Sequence, residues 1–233
     1  MGMRPSELFH LFGDLNNLSG IGPKTVINLK NLSIEKPRDF LFNLPFSVLD
    51  RLPVSSIRGV SASKIVTVEV LVKAHKIGRS RASAHRVTVQ DTEVSFQLVF
   101  FNARKEYLES LLPVGERRII SGKLEFYDNI PQIVHPHHVK KINEEKAIVR
   151  FEPVYPLTSG VSQKLMFGTI NGLLEKLPKL GEWIDHELLK IKGWPSWQDA
   201  LKSAHCPVSA DGASNTNPAR LRLAFDELFS HQL

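Results

Sequence analysis

The chain has 233 residues and a formal net charge of +6, with 30 Lys and Arg against 24 Asp and Glu. Hydrophobic residues make up 42% of it, which is the share expected of an ordinary globular protein with a packed core. The cationic excess favours an anionic partner such as nucleic acid. A single cysteine, Cys206, excludes an internal disulfide and a cysteine-based zinc site, and we expect a cytoplasmic protein. No apolar run reaches membrane-spanning length, so no membrane partner is expected.

Residues 1–58 are predicted to form a helical segment. Short helices are expected over Glu7–Phe12 and after Pro37. Between them, Gly20-Ile21-Gly22-Pro23-Lys24-Thr25 leads into a further helix, where backbone N–H groups and the helix dipole suit a phosphate and Lys24 adds positive charge. The pattern fits a helix-hairpin-helix grip on the DNA backbone, and it fits equally a plain glycine turn between two helices.

Residues 59–143 change to the two-residue period of β-strands, and a helix over Ala103–Leu112 separates the third strand from the fourth. The five predicted strands are Lys64–Val72, His85–Gln90, Val94–Phe101, Arg117–Leu124 and Ile130–Val134. This order is that of a five-stranded OB-fold barrel, and some other small β-barrel or sandwich is the alternative. The predicted fold class is therefore α+β, with an OB-fold barrel flanked by an N-terminal and a C-terminal helical segment.

Residues 144–233 are predicted to be mostly helical. Phe151–Leu157 contains two prolines and cannot form a regular helix. The predicted helices are Ser162–Leu177, Gly181–Lys192, Ser196–Ala204 and Pro218–Leu233. The last of them reaches the end of the sequence without a Gly or Pro stop signal, so we expect this chain to be part of a longer protein.

Two adjacent aromatic residues, Phe100 and Phe101, close the third predicted strand. Neighbouring side chains in a strand point to opposite faces, so one ring can enter the core while the other faces solvent. Strict alternation puts Phe100 on the same face as Phe96, which is expected in the core, and makes Phe101 the exposed ring. Phe100 is the alternative if the strand end twists or bulges. An exposed ring on a basic protein is a platform on which a nucleic-acid base can stack.

A basic loop is predicted between the first two strands, close to the aromatic pair. Its cations suit phosphate contacts that weaken with salt: Lys73, Lys76, Arg79, Arg81 and Arg86. Phe126 and Tyr127 provide further aromatic rings before the fifth strand, and Tyr127 completes the predicted DNA-binding set together with Lys24.

Metal and catalytic sites are not predicted. His135-Pro136-His137-His138 offers three imidazoles, but no Cys or carboxylate stands at ligand spacing, so a polar strand end is the favoured interpretation over a metal site. No nucleophile–base pattern and no nucleotide-binding loop is visible. We therefore predict no catalytic residue, no metal and no cofactor within this chain.

Several motifs resemble the N-terminal region of the RecG-type ATP-dependent DNA helicases, in the order in which that family has them. They are Leu18–Lys24, Phe40–Pro45, Asp50-Arg51, Phe100-Phe101-Asn102, Ile133–Pro136, Pro153–Gly160 with Ser162–Lys164, and Arg222–Leu228. Two ATPase domains follow this region in the family, and they are not in this sequence.

The resemblance implies a wedge that separates DNA strands at a branch point of a replication fork or Holliday junction, in recombination and repair. By motif, the stacking role falls on Phe100 and Phe101. The implied partners are branched DNA with its single-stranded and duplex arms, and the ATPase domains of the same parent, which would use ATP and Mg. We expect a monomer that is catalytically inactive without those domains. The hairpin over 124–130 departs from the family pattern, because Glu125 and Asp128 make it less cationic.

Two other functional classes stay open from the sequence alone. One is a stand-alone OB-fold protein that binds single-stranded DNA or RNA. The other is a protein-interaction module, since OB barrels also bind proteins and the last helix has an apolar face.

Overall fold

The structure is a computed structural model that describes residues 6–78 and 83–232, without the side chains of 145–147. Its α-helices are α1 Phe9–Phe12, α2 Pro23–Leu29, α3 Pro37–Phe42, α4 Lys105–Leu111, α5 Gln163–Leu174, α6 His186–Lys192, α7 Trp197–His205 and α8 Pro218–Ser230. Its strands are β1 Ser47–Val54, β2 Ile65–Lys76, β3 His85–Gln90, β4 Ser95–Phe100, β5 Arg117–Tyr127, β6 Ile130–Val134, β7 His138–Lys140 and β8 Phe151–Val154. The protein is thus α+β, as predicted.

The chain divides into two compact units. We call Asp50–Arg150 the sheet unit, and the described parts of Met1–Leu49 and Phe151–Leu233 the helical unit. The first and third segments predicted from the sequence, 1–58 and 144–233, both contribute to the helical unit. One core there joins residues from both ends of the chain, including Leu29, Phe40 and Tyr155. The two ends therefore depend on each other for burial of their apolar faces.

The strands form one mixed sheet in the order β7-β5-β6-β4-β3-β2-β1-β8, with a further pairing of β5 and β2. Within the sheet unit the pairings run from β2 to β3, β4, β6 and β5 and then return to β2. All of these are antiparallel except β4 with β6, which is parallel. The five strands of this ring are the five predicted from the sequence, and α4 lies between β4 and β5 as predicted.

The long strand β5 pairs with β2 along its first half and with β6 along its second half. Gly122 pairs with Val66 of β2 two residues before the pairing with β6 begins, and a Cβ at this position would stand 2.5 Å from Ile133 Cγ2. Only glycine allows β6 to approach so closely at this point. Alternate residues of the ring strands point into one core, among them Val68, Val87 and Leu98.

Three strands were not predicted, and one predicted loop is wrong. Ser47–Val54 was expected within a helical segment, but it forms β1, whose residues are mostly half-buried and lack the alternation that marks a strand. The strands β7 and β8 are three and four residues long, too short for a periodic signal. Lys73 and Lys76 were assigned to a loop, but β2 continues to Lys76 because β3 pairs with it that far.

Two predicted helix ends need correction in the helical unit. The helix expected from Gly181 begins only at His186, because the Asp185 side chain accepts the N–H groups of Glu187 and Leu188 and caps it there. The helix expected to reach Leu177 ends at Leu174. Ser162 and Ser196, the first residues of two predicted helices, are the N-terminal caps of α5 and α7.

Candidate nucleic-acid interface

The two aromatic residues at the end of β4 have opposite environments. Phe100 is 7% exposed and belongs to the core of the sheet unit, whereas Phe101 is 47% exposed. The prediction that Phe101 is the outward ring is confirmed. Strand alternation is the cause, since Phe96, Leu98 and Phe100 point to one face and Phe101 follows on the other. Phe100 therefore offers no free ring face to a base.

Two residues next to Phe101, Asn102 in the chain and His135 in space, have a left-handed backbone. Asn102 has φ 55°, in the left-handed region where Asn is better tolerated than most residues. His135 has φ 44°, also left-handed. The Phe101 N–H donates to His135 Nε2 at 3.2 Å, and the two ring centroids are 5.8 Å apart. In the Phe-Phe-Asn motif, Phe100 thus packs in the core, Phe101 faces solvent and Asn102 makes the turn.

A cleft adjoins the exposed ring of Phe101. Arg104 and Tyr107, from the start of α4, line it together with Phe101 and His135. Both side chains are exposed, and Arg104 has no carboxylate within salt-bridge distance among the residues that the structure describes. We did not predict Arg104 or Tyr107 from the sequence. Their spacing of three residues was the available signal, because it places them on the same side of the first helical turn.

Two of the predicted cations lie at the same end of the strands as Phe101. Lys76 pairs with Arg86 across β2 and β3, and Arg86 lies opposite Val99 on β4. The side chain of Lys76 is exposed and that of Arg86 is half-buried. We call Lys76, Arg86, Phe101 and His135 the platform edge. An aromatic face beside cations is the combination that binds single strands without reading their sequence.

The other three cations of the predicted basic loop are not found at the platform edge in the part of the chain that the structure describes. Lys73 is exposed at the bulge between Val72 and Ala74, farther along β2 from the platform edge. Arg79 and Arg81 lie outside the described residues.

Tyr127 lies at the opposite end of the β4–β6 pair from Phe101. It precedes a tight hairpin turn in which Asp128 and Asn129 have φ of 49° and 60°, and it pairs with Ile130. Because β6 runs parallel to β4 with Gln97 opposite Gln132, this hairpin lies beside the start of β4. A strand of this length spans about 17–20 Å. Tyr127 is 61% exposed, but the fold does not bring it to the platform edge.

Lys24 belongs to the helical unit. It is exposed in the first turn of α2, after Gly20 with φ 79° and the N-cap Gly22. The segment before this turn is a 3-10 helix, Leu15–Asn17, instead of the α-helix that a helix-hairpin-helix motif needs. The arrangement is therefore closer to the glycine turn that was the alternative prediction.

The histidine cluster has structural partners. His135 accepts from Phe101, and Nδ1 of His137 lies 3.0 Å from Arg51 Nη1, a buried guanidinium that also donates to Ser121 Oγ. Within residues 6–78 and 83–232 no group of three or more His, Cys, Asp or Glu side chains is arranged to hold a metal ion. None of the helices described is both long and apolar enough to cross a membrane.

In a comparison with known protein families, residues 14–175 match the family of the RecG wedge domain. The chain belongs to this family. It is 27% identical over 228 residues to the ATP-dependent DNA helicase RecG of Haemophilus influenzae, and 27% identical over 229 residues to that of Pasteurella multocida. Each alignment covers 94% of this chain and 32% of the relative, so the chain spans about a third of the length of these curated relatives.

Among solved structures, that of RecG bound to a three-way DNA junction is similar to this chain, with a TM-score of 0.75 and 27% sequence identity. The match covers 96% of this chain and 30% of that one.

Proposed function

We propose that this chain is the branched-DNA-binding wedge of an ATP-dependent DNA helicase of recombination and repair, acting at replication forks and Holliday junctions. The observation that carries the proposal is the platform edge, where the exposed Phe101 ring lies at the same end of the sheet as Lys76 and Arg86. The resemblance to RecG bound to a three-way DNA junction supports branched DNA as the ligand.

We infer that the ring of strands β2-β3-β4-β6-β5 is a five-stranded OB-type barrel. Its support is the return of the pairings to β2, the helix between β4 and β5, and the parallel pairing of β4 with β6. In a closed ring every strand is hydrogen-bonded on both sides, so no strand can easily shift its register. The platform edge therefore stands on a rigid support. A rigid edge suits a wedge, since the wedge must resist the re-pairing of the strands it separates.

In the mechanism we propose, Phe101 stacks on the last base pair before the branch. Unstacking and unpairing a base costs a few kcal/mol, and an aromatic face returns about 1–3 kcal/mol per stacked base. Lys76 and Arg86 hold the separated strands by their phosphates, which carries no sequence information. We assign Phe100 to packing below the platform, because its ring is buried. Lys73, Arg79, Arg81, Lys24 and Tyr127 stay candidates for secondary contacts.

The energy for strand separation would come from ATPase domains of the parent protein, with ATP and Mg as their cofactors. The chain itself would bind branched DNA as a monomer without hydrolysing ATP. Its own residues thus contribute binding, stacking and strand exclusion only.

The test is a comparison of affinities for a three-way junction, a single strand and a linear duplex of matched length, with salt varied. We expect the junction to bind most tightly and its log affinity to fall linearly with log salt concentration. Equal affinity for the junction and the single strand would instead support a stand-alone OB-fold protein for single-stranded DNA or RNA. Affinity that does not respond to salt would contradict both nucleic-acid functions, and ATP hydrolysis by the purified chain would contradict the division of labour.

A further inference from the structure

His135 is joined to the end of β4 at two points. Its backbone N–H donates to Val99 O at 2.9 Å, and its Nε2 accepts from the Phe101 N–H at 3.2 Å. The bonded groups thus flank Phe100 on both sides. The imidazole ring also meets the Phe100 ring edge-on, with centroids 6.2 Å apart, and tilts against the Phe101 ring at 5.8 Å.

The hydrogen bond from the Phe101 N–H to His135 Nε2 replaces an ordinary backbone bond of the parallel ladder. In a parallel pair, a residue donates its N–H to one partner residue and accepts with its own carbonyl from the partner two positions on. The bond from His135 N to Val99 O follows this pattern, and Phe101 is where the ladder would continue. His135 has turned to φ 44°, and its side chain takes the place of the carbonyl as acceptor. The strand can therefore end at this point while the Phe101 N–H keeps a partner.

We propose that His135 is a positioning residue that fixes the backbone of Phe101 and so holds its ring outward for stacking, an inference that rests on the proposed function. The contact requires an unprotonated ring nitrogen, since an imidazolium has no acceptor. His135 acts on DNA through Phe101 and makes no essential DNA contact of its own. Nothing in the composition or local pattern of His135-Pro136 predicts this role.

The test compares two substitutions of similar size, of which only one provides a hydrogen-bond acceptor. His135→Gln and His135→Leu both introduce an unbranched Cβ into the left-handed backbone, so both meet the same conformational cost. The amide oxygen of Gln can reach the place of Nε2, whereas Leu offers no acceptor. We expect His135→Leu to weaken binding of a three-way junction roughly 2- to 10-fold, as for one lost hydrogen bond, and His135→Gln to restore most of that affinity.

Phe101→Ala supplies the background that separates positioning from direct contact. With the ring removed, His135→Leu should cause no further loss, because the group it positions is gone. A loss of the same factor in both backgrounds would overturn the proposal, since His135 would then contact DNA itself. A His135→Gln affinity as low as that of His135→Leu would also overturn it, because the acceptor would not be the property that matters.

Hydrogen exchange of the Phe101 amide in the free protein gives a readout that does not depend on DNA. We expect faster exchange in His135→Leu than in the parent, and protection retained in His135→Gln. If Phe101→Ala leaves junction affinity unchanged while the exchange result holds, the positioning by His135 stands and the proposed stacking function fails. Unchanged exchange in His135→Leu would refute the positioning itself.

Discussion

Phe100 and Phe101 are adjacent in the chain but differ in exposure, 7% against 47%, so alanine at each position tests a different property. Phe101→Ala should remove one stacked base contact, worth about 1–3 kcal/mol, which is roughly a 5- to 140-fold loss of junction affinity. It should cost only about 1 kcal/mol of stability, since about half of the ring is already in water. Phe100→Ala should cost about 3–5 kcal/mol of stability, as for a buried aromatic ring.

Two measurements on the same pair of variants decide the matter. Denaturation in urea gives the free energy of unfolding, and fluorescence anisotropy with a labelled three-way junction gives the affinity at a temperature where both variants are folded. The expected result is a crossed pattern, in which each substitution has its larger effect in a different assay. The reasoning fails if Phe101→Ala leaves junction affinity unchanged, or if Phe100→Ala costs no more stability than Phe101→Ala.

Three further predictions concern charge. Lys76→Ala and Arg86→Ala should each weaken binding of junction, duplex and single strand alike, and lower the slope of log affinity against log salt by about 1 in anisotropy titrations. Burial lowers the pKa of His205 to about 4 from an ordinary value of 6.5, so folding should lose up to about 3 kcal/mol as pH falls through this window, and His205→Asn should flatten that part of the stability–pH curve. Arg222→Ala should cost about 3–5 kcal/mol in urea denaturation, because it strands two partly buried carboxylates, whereas Arg117→Ala breaks an exposed pair and should cost less than about 1 kcal/mol.

The sequence predicts those elements whose signal is local. The strands β3 and β6 begin and end where they were predicted. In β3 the reason is the alternation of buried and half-buried residues along a strand with one face in the core. The outward direction of Phe101 follows from the same rule. In contrast, β1 pairs in parallel with β2 through Arg51–Val54, and its half-buried residues show no period. The strand β1 forms because it pairs with β2, and the pattern of residues within β1 gives no sign of that partner.

The site shows the same division between local and distant signals. Lys76, Arg86 and Phe101 come together through strand register, and each had been predicted from its own chemistry. The contact of His135 with Phe101 depends on the parallel pairing of β4 with β6 and on a left-handed backbone, so no local spacing predicts it. Arg104 was open to prediction, because it lies three residues after Phe101 and one helical turn before Tyr107.

The exposed rings of Phe101 and Tyr127 differ in the charge of their surroundings, and this difference is our reason for expecting DNA at the platform edge. Phe101 has Lys76 and Arg86 at its end of the sheet. The hairpin of Tyr127 instead carries Asp128, where a phosphate would meet like charge, and Lys123 on the same strand is already paired with Glu125 at 3.5 Å. Because the two ends are separated by about the length of a strand, one base cannot contact both. We therefore expect Tyr127→Ala to change junction affinity far less than Phe101→Ala in the same titration, and an equal or larger loss at Tyr127 would move the proposed branch point to the hairpin.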